Sequence, residues 1–312
     1  MEIFYLDENK VASTDSLENI DKRKITWIRF LDKDPEKIKE LSKFANIPEE
    51  EFEEFFDFEE RSRLEQGRYL ELTYQVPCTN NGEIETSTIN LFVINNLFIT
   101  VERQTTPSMA GIASLMRKGK LKFLFKESIT NMLYYFLDKI NDSFMHSIDR
   151  ITNLTDILEA KGGNISDKQL MGLYNNNVTL TRFNQAILAN LEVLAGLRKS
   201  YYKKFTKEDL DNFADLYYEK LQILDTEKIQ REVITNLFNF QSVVSTKKLN
   251  NFIKLLTSLT VLIMVPTFIT GLFGMNVPVP LANNPYAFII ILAGLIVFSG
   301  ILFFIFKKAG WL

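Results

Sequence analysis

The sequence predicts an α+β cytosolic domain followed by long helices and a two-helix C-terminal membrane segment. Three observations predict it. Two apolar stretches near the end, Phe252 to Phe273 and Tyr286 to Phe306, are each long enough to cross a bilayer, and Lys254 is the one charge in the first. No Gly or Pro stands between Thr206 and Val265, so one helix should run unbroken from a cytosolic start into the first span. Before about residue 118, apolar residues alternate with polar ones between turn signals, the pattern of strands. The expected divisions are a cytosolic α/β domain over 1–118, a cytosolic helical hairpin over 119–205, a stalk helix over 206–250 and a transmembrane domain over 251–312, with an outer loop at 274–285.

Composition narrows the function. Charge is concentrated before Lys254 and the last carboxylate is Glu232, so the apolar share of 46% reflects a membrane part joined to a charged one. A net charge of -3 argues against nucleic acid as a partner. Cys78 is the one cysteine, which excludes an internal disulfide and suits a reducing compartment. His146 is the one histidine and cannot form a histidine cluster for a transition metal. No P-loop, CxxC or nucleophile–base set is present, so no enzyme is expected. The N-terminus, MEIFYLDENK, lacks a basic region followed by an apolar core. Lys247, Lys248 and Lys254 precede or open the first span, Lys307 and Lys308 close the second, and Val277 to Pro285 is uncharged. The positive-inside rule then places both termini in the cytosol and the loop outside a plasma membrane, with Tyr286 and Trp311 at its interfaces.

Ile25 to Phe30 reads as a strand. Pro35 opens a helix with Ile38, Leu41 and Phe44 as its apolar stripe, and Pro48 opens a second with Phe52, Phe55 and Phe56 inward. The acids of that helix, from Glu49 on, read as a solvated face favourable to its N-terminus. Tyr69 to Val76 alternates as a half-buried strand. Asn81-Gly82 signals a hairpin turn, and Thr86 to Ile94 and Leu97 to Val101 are strands joined at Asn95-Asn96. The sheet is therefore at least partly antiparallel. Leu121 to Ala160 reads as one helix stopped by Lys161-Gly162-Gly163-Asn164. Ser166 with Gln169 forms a capping box for a helix reaching Lys203. Thr206 caps the third, roughly 100 Å long at 1.5 Å per residue.

One face of the first span is unusual. Counted by heptads it carries Asn250, Thr257, Met264 and Gly271, beside Ile253, Thr260, Thr267 and Gly274, whereas Leu255, Leu259, Leu262, Ile263 and Ile269 fall elsewhere. Small and hydroxylated residues let membrane helices pack closely. The same seam suits a helix lining a wet pore about an oligomer axis, where its polar groups meet water. Upstream the count continues through Ile229, Asn236 and Val243, and through Glu232, Asn239 and Thr246, which also fits a coiled-coil core with register-setting polar residues. A small, hard cation binds oxygen and sheds water reluctantly. A seam without carboxylates offers acceptors to the waters of a hydrated ion, and Gly271 and Gly274 let backbone carbonyls approach the axis.

Gly274-Met275-Asn276, placed just after the first of two C-terminal spans and ahead of a basic tail, resembles the signature of the CorA-type divalent-cation channels. The resemblance implies a funnel-shaped homopentamer that transports Mg2+, with Co2+, Ni2+ or Zn2+ as other cargo of the superfamily. It gives Asn276 the outer ring that selects the hydrated ion, Gly271, Thr267 and Asn250 further polar rings, and Met264 with Leu256 a hydrophobic gate. It implies a regulatory Mg2+ site pairing Asp215 with one of Glu51, Glu53 or Glu54 across subunits. The chain departs from relatives in lacking acids from Val277 to Pro285 and in carrying Asn239 where some have a stalk aspartate. A zinc transporter of the same superfamily and a non-conducting membrane-anchored receptor are the competing readings.

Overall fold

The computed structural model describes residues 1–312 apart from 19, 58–60, 81, 163–164, 200–204, 278–279 and 281–283. It divides into unit 1, Met1–Thr235, and unit 2, Asn236–Leu312.

Unit 1 is built on a seven-stranded sheet of order β2-β1-β3-β7-β6-β5-β4. Its strands are β1 Glu2–Asp7, β2 Lys10–Thr14, β3 Thr26–Phe30, β4 Arg63–Gln66, β5 Leu70–Asn80, β6 Glu83–Ile94 and β7 Leu97–Glu102. Among the described residues only β3 and β7 pair in parallel, with Trp27 opposite Phe98, and the other strand pairs are antiparallel. The β1–β2 hairpin turns through Glu8 and Asn9, both at positive φ, and β6–β7 turns through Asn95 at φ 51°. Asn81 of the expected hairpin signal lies outside the described residues, while Gly82 has φ 86°.

Helices cover both faces of the sheet. On one side, α1 (Pro35–Ala45) and α2 (Glu49–Asp57) bury Ile38, Leu41, Phe52 and Phe55 against Ile28, Phe30, Phe92 and Ile99. Asp34 caps α1 by accepting the Glu36 N–H, and Asn46 closes it in the left-handed region. Phe44 and Phe56 are half-buried rather than fully inward. On the other side, Phe136 of α4 (Ile129–Glu159) packs its edge onto Trp27 at 4.8 Å and Phe98 at 4.7 Å. Such ring pairs each add about 0.5–1.5 kcal/mol beyond area burial. Coverage on both faces corrects the expectation of a half-buried strand at β5: Leu70, Leu72, Tyr74 and Val76 are buried, and so are Glu71 and Thr73 between them.

β5 outruns its edge partner. β4 pairs only with Leu70 to Thr73, and beyond it the Asn190 side chain of α5 (Asp167–Leu197) takes the place of a strand. Its Oδ1 accepts the Gln75 N–H at 2.8 Å and its Nδ2 donates to the Gln75 carbonyl at 2.8 Å. Pro77, next on the same edge, has no N–H to offer.

Three helix boundaries differ from expectation or complete it. α3 (Pro107–Arg117) and a 3-10 turn at Lys122–Phe125 precede α4, which begins at Ile129 rather than Leu121 because the Ser128 hydroxyl accepts the Asn131 N–H. α5 opens with the Ser166–Gln169 capping box and ends at Leu197, short of the expected Lys203, whose surroundings lie outside the described residues. Gly163 and Asn164 of the preceding stop signal also lie outside them, and Gly162 has φ 59°. α6 runs as one helix from Lys207 to Phe273, 67 residues, through Pro266. Its start is fixed by a reciprocal pair, with Asp209 accepting the Thr206 N–H at 2.7 Å and Thr206 accepting the Asp209 N–H at 3.2 Å.

Within unit 1, α6 buries Phe213, Leu216, Lys220, Ile223, Glu227, Gln230 and Ile234, at alternating spacings of three and four. Leu237 continues the series in unit 2. The apolar members form the seam. Glu227 within it accepts from Asn184 of α5 at 2.7 Å and pairs with Arg231 at 3.2 Å.

Candidate functional site

Unit 2 contains the end of α6 and α7, Ala287–Lys308, both apolar and long enough to cross a membrane. Leu256, Leu259, Ile263 and Phe268 of α6 and Phe288, Ile296, Val297 and Phe304 of α7 are exposed in the chain. Leaving such side chains in water instead of an apolar medium forfeits about 1.5–3 kcal/mol each, which a bilayer restores.

Counting on from Leu237 in threes and fours along α6 reaches Ser258, Leu262, Val265 and Ile269. Ser258 is buried and the other three are half-buried. α7 carries a half-buried stripe at Ala287, Ile291, Leu295, Ser299, Leu302 and Phe306. Each helix thus has one face less open than the rest. The polar seam occupies the far side of α6. Asn250, Thr257, Met264, Gly271, Ile253, Thr260, Thr267 and Gly274 are all exposed, as are Leu256, Met275 and Asn276. The seam is therefore not used for packing α6 within its own chain. Its upstream continuation, Ile229, Asn236, Val243, Glu232, Asn239 and Thr246, is exposed too, so the chain alone does not bury it as a coiled-coil core.

Two hydroxyls of this seam have their protons committed. Thr260 donates to the Leu256 carbonyl at 2.9 Å and Thr267 to the Ile263 carbonyl at 2.8 Å. What they present outward is lone pairs, the acceptor character that hydrating water around a cation requires. Pro266 has no N–H for the Leu262 carbonyl. The helix closes at the signature, where the Gly274 N–H is shared between the carbonyls of Thr270 at 3.0 Å and Gly271 at 3.2 Å. Asn284 then orders the start of α7, accepting the Tyr286 N–H at 2.9 Å. At the far end Trp311 stacks on Phe306, beside Lys307 and Lys308.

The regulatory residues suggested by the resemblance are spread over unit 1. Asp215 is exposed on α6, and Glu53 and Glu54 are exposed on α2. Glu51 is partly shielded, with Arg63 at 3.6 Å. Arg63 also holds Glu65 at 3.4 Å and the buried Glu71 at 3.0 Å. Burial pushes the Glu71 carboxyl up to about 7 even though Arg63 pulls it down. Burial and the Glu51 carboxylate raise the Tyr69 phenol to about 12. Among the described residues no three His, Cys, Asp or Glu side chains gather into a group able to hold a metal. His146 is exposed on α4.

Residues 22–308 match the family described as CorA-like Mg2+ transporter protein. The chain belongs to this family. A cobalt/magnesium transport protein CorA of Methanocaldococcus jannaschii is 31% identical over 93% of this chain and 92% of its own length. The complete structure of the CorA magnesium transporter from that organism superposes with a TM-score of 0.89 at 29% identity, covering 100% of this chain and 99% of the other. The cobalt/magnesium transport protein CorA of Thermotoga maritima is 24% identical over 75% of this chain and 67% of its own. The succession of α/β region, long helix and C-terminal apolar helix is that of the CorA fold. The relatives are transport proteins and not enzymes, and the family is one of membrane transporters.

Proposed function

We propose that this protein is a Mg2+ uptake channel, a homopentamer whose α6 helices surround the pore. The observation that carries this reading is the exposed seam. α6 keeps one face for its own chain and leaves the opposite face, with Asn250, Thr257, Thr260, Met264, Thr267 and Gly271, uncovered. A helix with lipid on that side would waste its acceptors, whereas an axis shared by several copies gives them water. Asn276 forms the outer ring. Its amide orders the waters of a hydrated ion without stripping them, and the lack of carboxylates along the seam keeps the ion from binding too tightly to leave. Thr267, Gly271 and Asn250 provide further polar rings, and Met264 with Leu256 closes the pore when dewetted.

Both termini lie in the cytosol. Lys247, Lys248, Lys254, Lys307 and Lys308 remain on that side of the plasma membrane, and the uncharged loop from Val277 to Pro285 faces out. Intracellular Mg2+ closes the channel by joining Asp215 of one subunit to an acid of α2 in its neighbour. Glu53 and Glu54, which are exposed, suit this role better than Glu51, which Arg63 holds. Flux through purified protein in liposomes tests the reading, with Mg2+, Co2+, Ni2+ and Zn2+ offered in turn. Mg2+ flux is the expected result. Zn2+ flux without Mg2+ flux makes the protein a zinc transporter, and no flux makes it a membrane-anchored receptor.

A further inference from the structure

Lys220 occupies the middle of the buried seam of α6 and is fully enclosed. Its ammonium nitrogen lies 4.2 Å from the ring centre of Phe144 on α4 and 5.7 Å from that of Tyr74 on β5. Phe183 of α5 backs the Phe144 ring at 5.1 Å. Among the described residues no hydrogen-bond acceptor meets Nζ, and Tyr74 Oη is likewise unpartnered. The turn of α6 just before it is fastened to α4: Asn141 Nδ2 donates to the Glu219 carboxylate at 2.7 Å and to the Leu216 carbonyl at 3.4 Å. The titratable groups at this point are the Tyr74 phenol from β5 and Glu219 from α6 itself, and Glu219 in turn acts on the Tyr134 phenol of α4; α4 and α5 also bring Phe144, Asn141 and Phe183.

We propose that Lys220 makes this turn of α6 a proton-responsive latch, in which taking up a proton loosens the hold of α4 and β5 on the helix. A charged amine enclosed by two rings with no acceptor is poorly accommodated, and the ring faces offset only part of its lost hydration. A neutral amine packs there as the end of an aliphatic chain. Burial accordingly draws Lys220 from 10.5 down to about 7, with Glu219 pulling weakly the other way. Once the turn opens, the amine regains its ordinary affinity for protons. Between about 7 and 10.5 the open form therefore carries a proton that the closed form lacks, and acidification favours opening. Below about 7 both forms carry it and the dependence ends. The latch acts on the helix that bears the seam, and it holds whether or not the transport reading does.

Hydrogen exchange of the full-length protein in lipid nanodiscs tests it, followed over 213–224 and corrected for the intrinsic pH dependence. The opening constant of that segment should rise at least about tenfold from pH 9 to pH 7 and level off below. Lys220→Met should remove the rise. Glu71→Gln should leave it intact, since Glu71 changes affinity only between 4.5 and about 7. A wild-type opening constant that is flat from pH 9 to 7 overturns the proposal, and needs no variant to fold. A rise that persists in Lys220→Met overturns it as well, by assigning the proton elsewhere.

Discussion

Between Phe213 and Leu237, α6 keeps a lysine, a glutamate and a glutamine away from solvent, whereas between Ser258 and Phe273 it leaves Leu259, Ile263, Phe268 and Leu272 open. Within each stretch the covered positions recur in threes and fours, so each has one shielded face of its own. What changes is the medium assumed on the opposite face. In the first stretch, exposed positions such as Asp215, Asp225 and Lys228 are charged, as water demands. In the second, exposed apolar residues demand lipid, and the exposed polar seam among them demands something else. Averaged over 67 residues these patterns cancel, so amphipathicity has meaning on this helix only stretch by stretch.

The largest expected effect bears on the exposed seam. Asn276→Ala should abolish selective divalent flux in liposomes while the assembly elutes unchanged on size exclusion. Wild-type flux and ion order in that variant would remove the signature from the selecting role. Next comes the buried face in unit 1. Ile234→Ala should destabilise the protein by about 2–5 kcal/mol in denaturant titration, because it empties a closed site. Ile229→Ala, exposed on the same helix, should change stability by no more than about 0.5 kcal/mol. Equal losses at the two positions would mean that the exposed face is covered as firmly by other copies.

Cysteine labelling sharpens the contrast in unit 2. With Cys78 removed, single cysteines at Asn250, Thr257, Met264 and Gly271 should react with a small polar reagent. Those at Ser258 and Val265 should be shielded by protein, and those at Leu255, Leu259 and Ile263 by lipid. Uniform labelling would show that no face of α6 is set apart for water. The smallest effect is expected at Asp215. Asp215→Asn should weaken, without eliminating, the protection from protease that Mg2+ confers on unit 1. Protection equal to wild type would take Asp215 out of the regulatory site.

The sequence made some of this legible and concealed the rest for physical reasons. β5, β6 and β7 were readable because alternation and asparagine turns bounded them. β1 and β2 were not, since their hairpin turns through Glu8 and Asn9 at positive φ without a glycine. β4 is only four residues, and α3 begins at Pro107 with no side-chain cap. The length of α6 followed from a missing breaker. Its buried face did not, because Lys220, Glu227 and Gln230 interrupt the apolar series at the positions that define it. The seam of unit 2 stood out by composition, but that it faces away from the helix's own chain is a fact of packing. Asn190 gave no signal at all: an asparagine in mid-helix looks solvated until a strand edge is placed against it.

That asparagine has a consequence for a protein that is proposed to work in several copies. A strand projecting past its neighbour offers unpaired N–H and carbonyl groups on which an identical strand from another chain can grow. Here Asn190 occupies the first such place, at Gln75, and Pro77 removes the donor from the next. The stretch of β5 that projects past β4 is thereby closed at Gln75 and Pro77, where a strand from another copy finds the first place taken and no donor at the next.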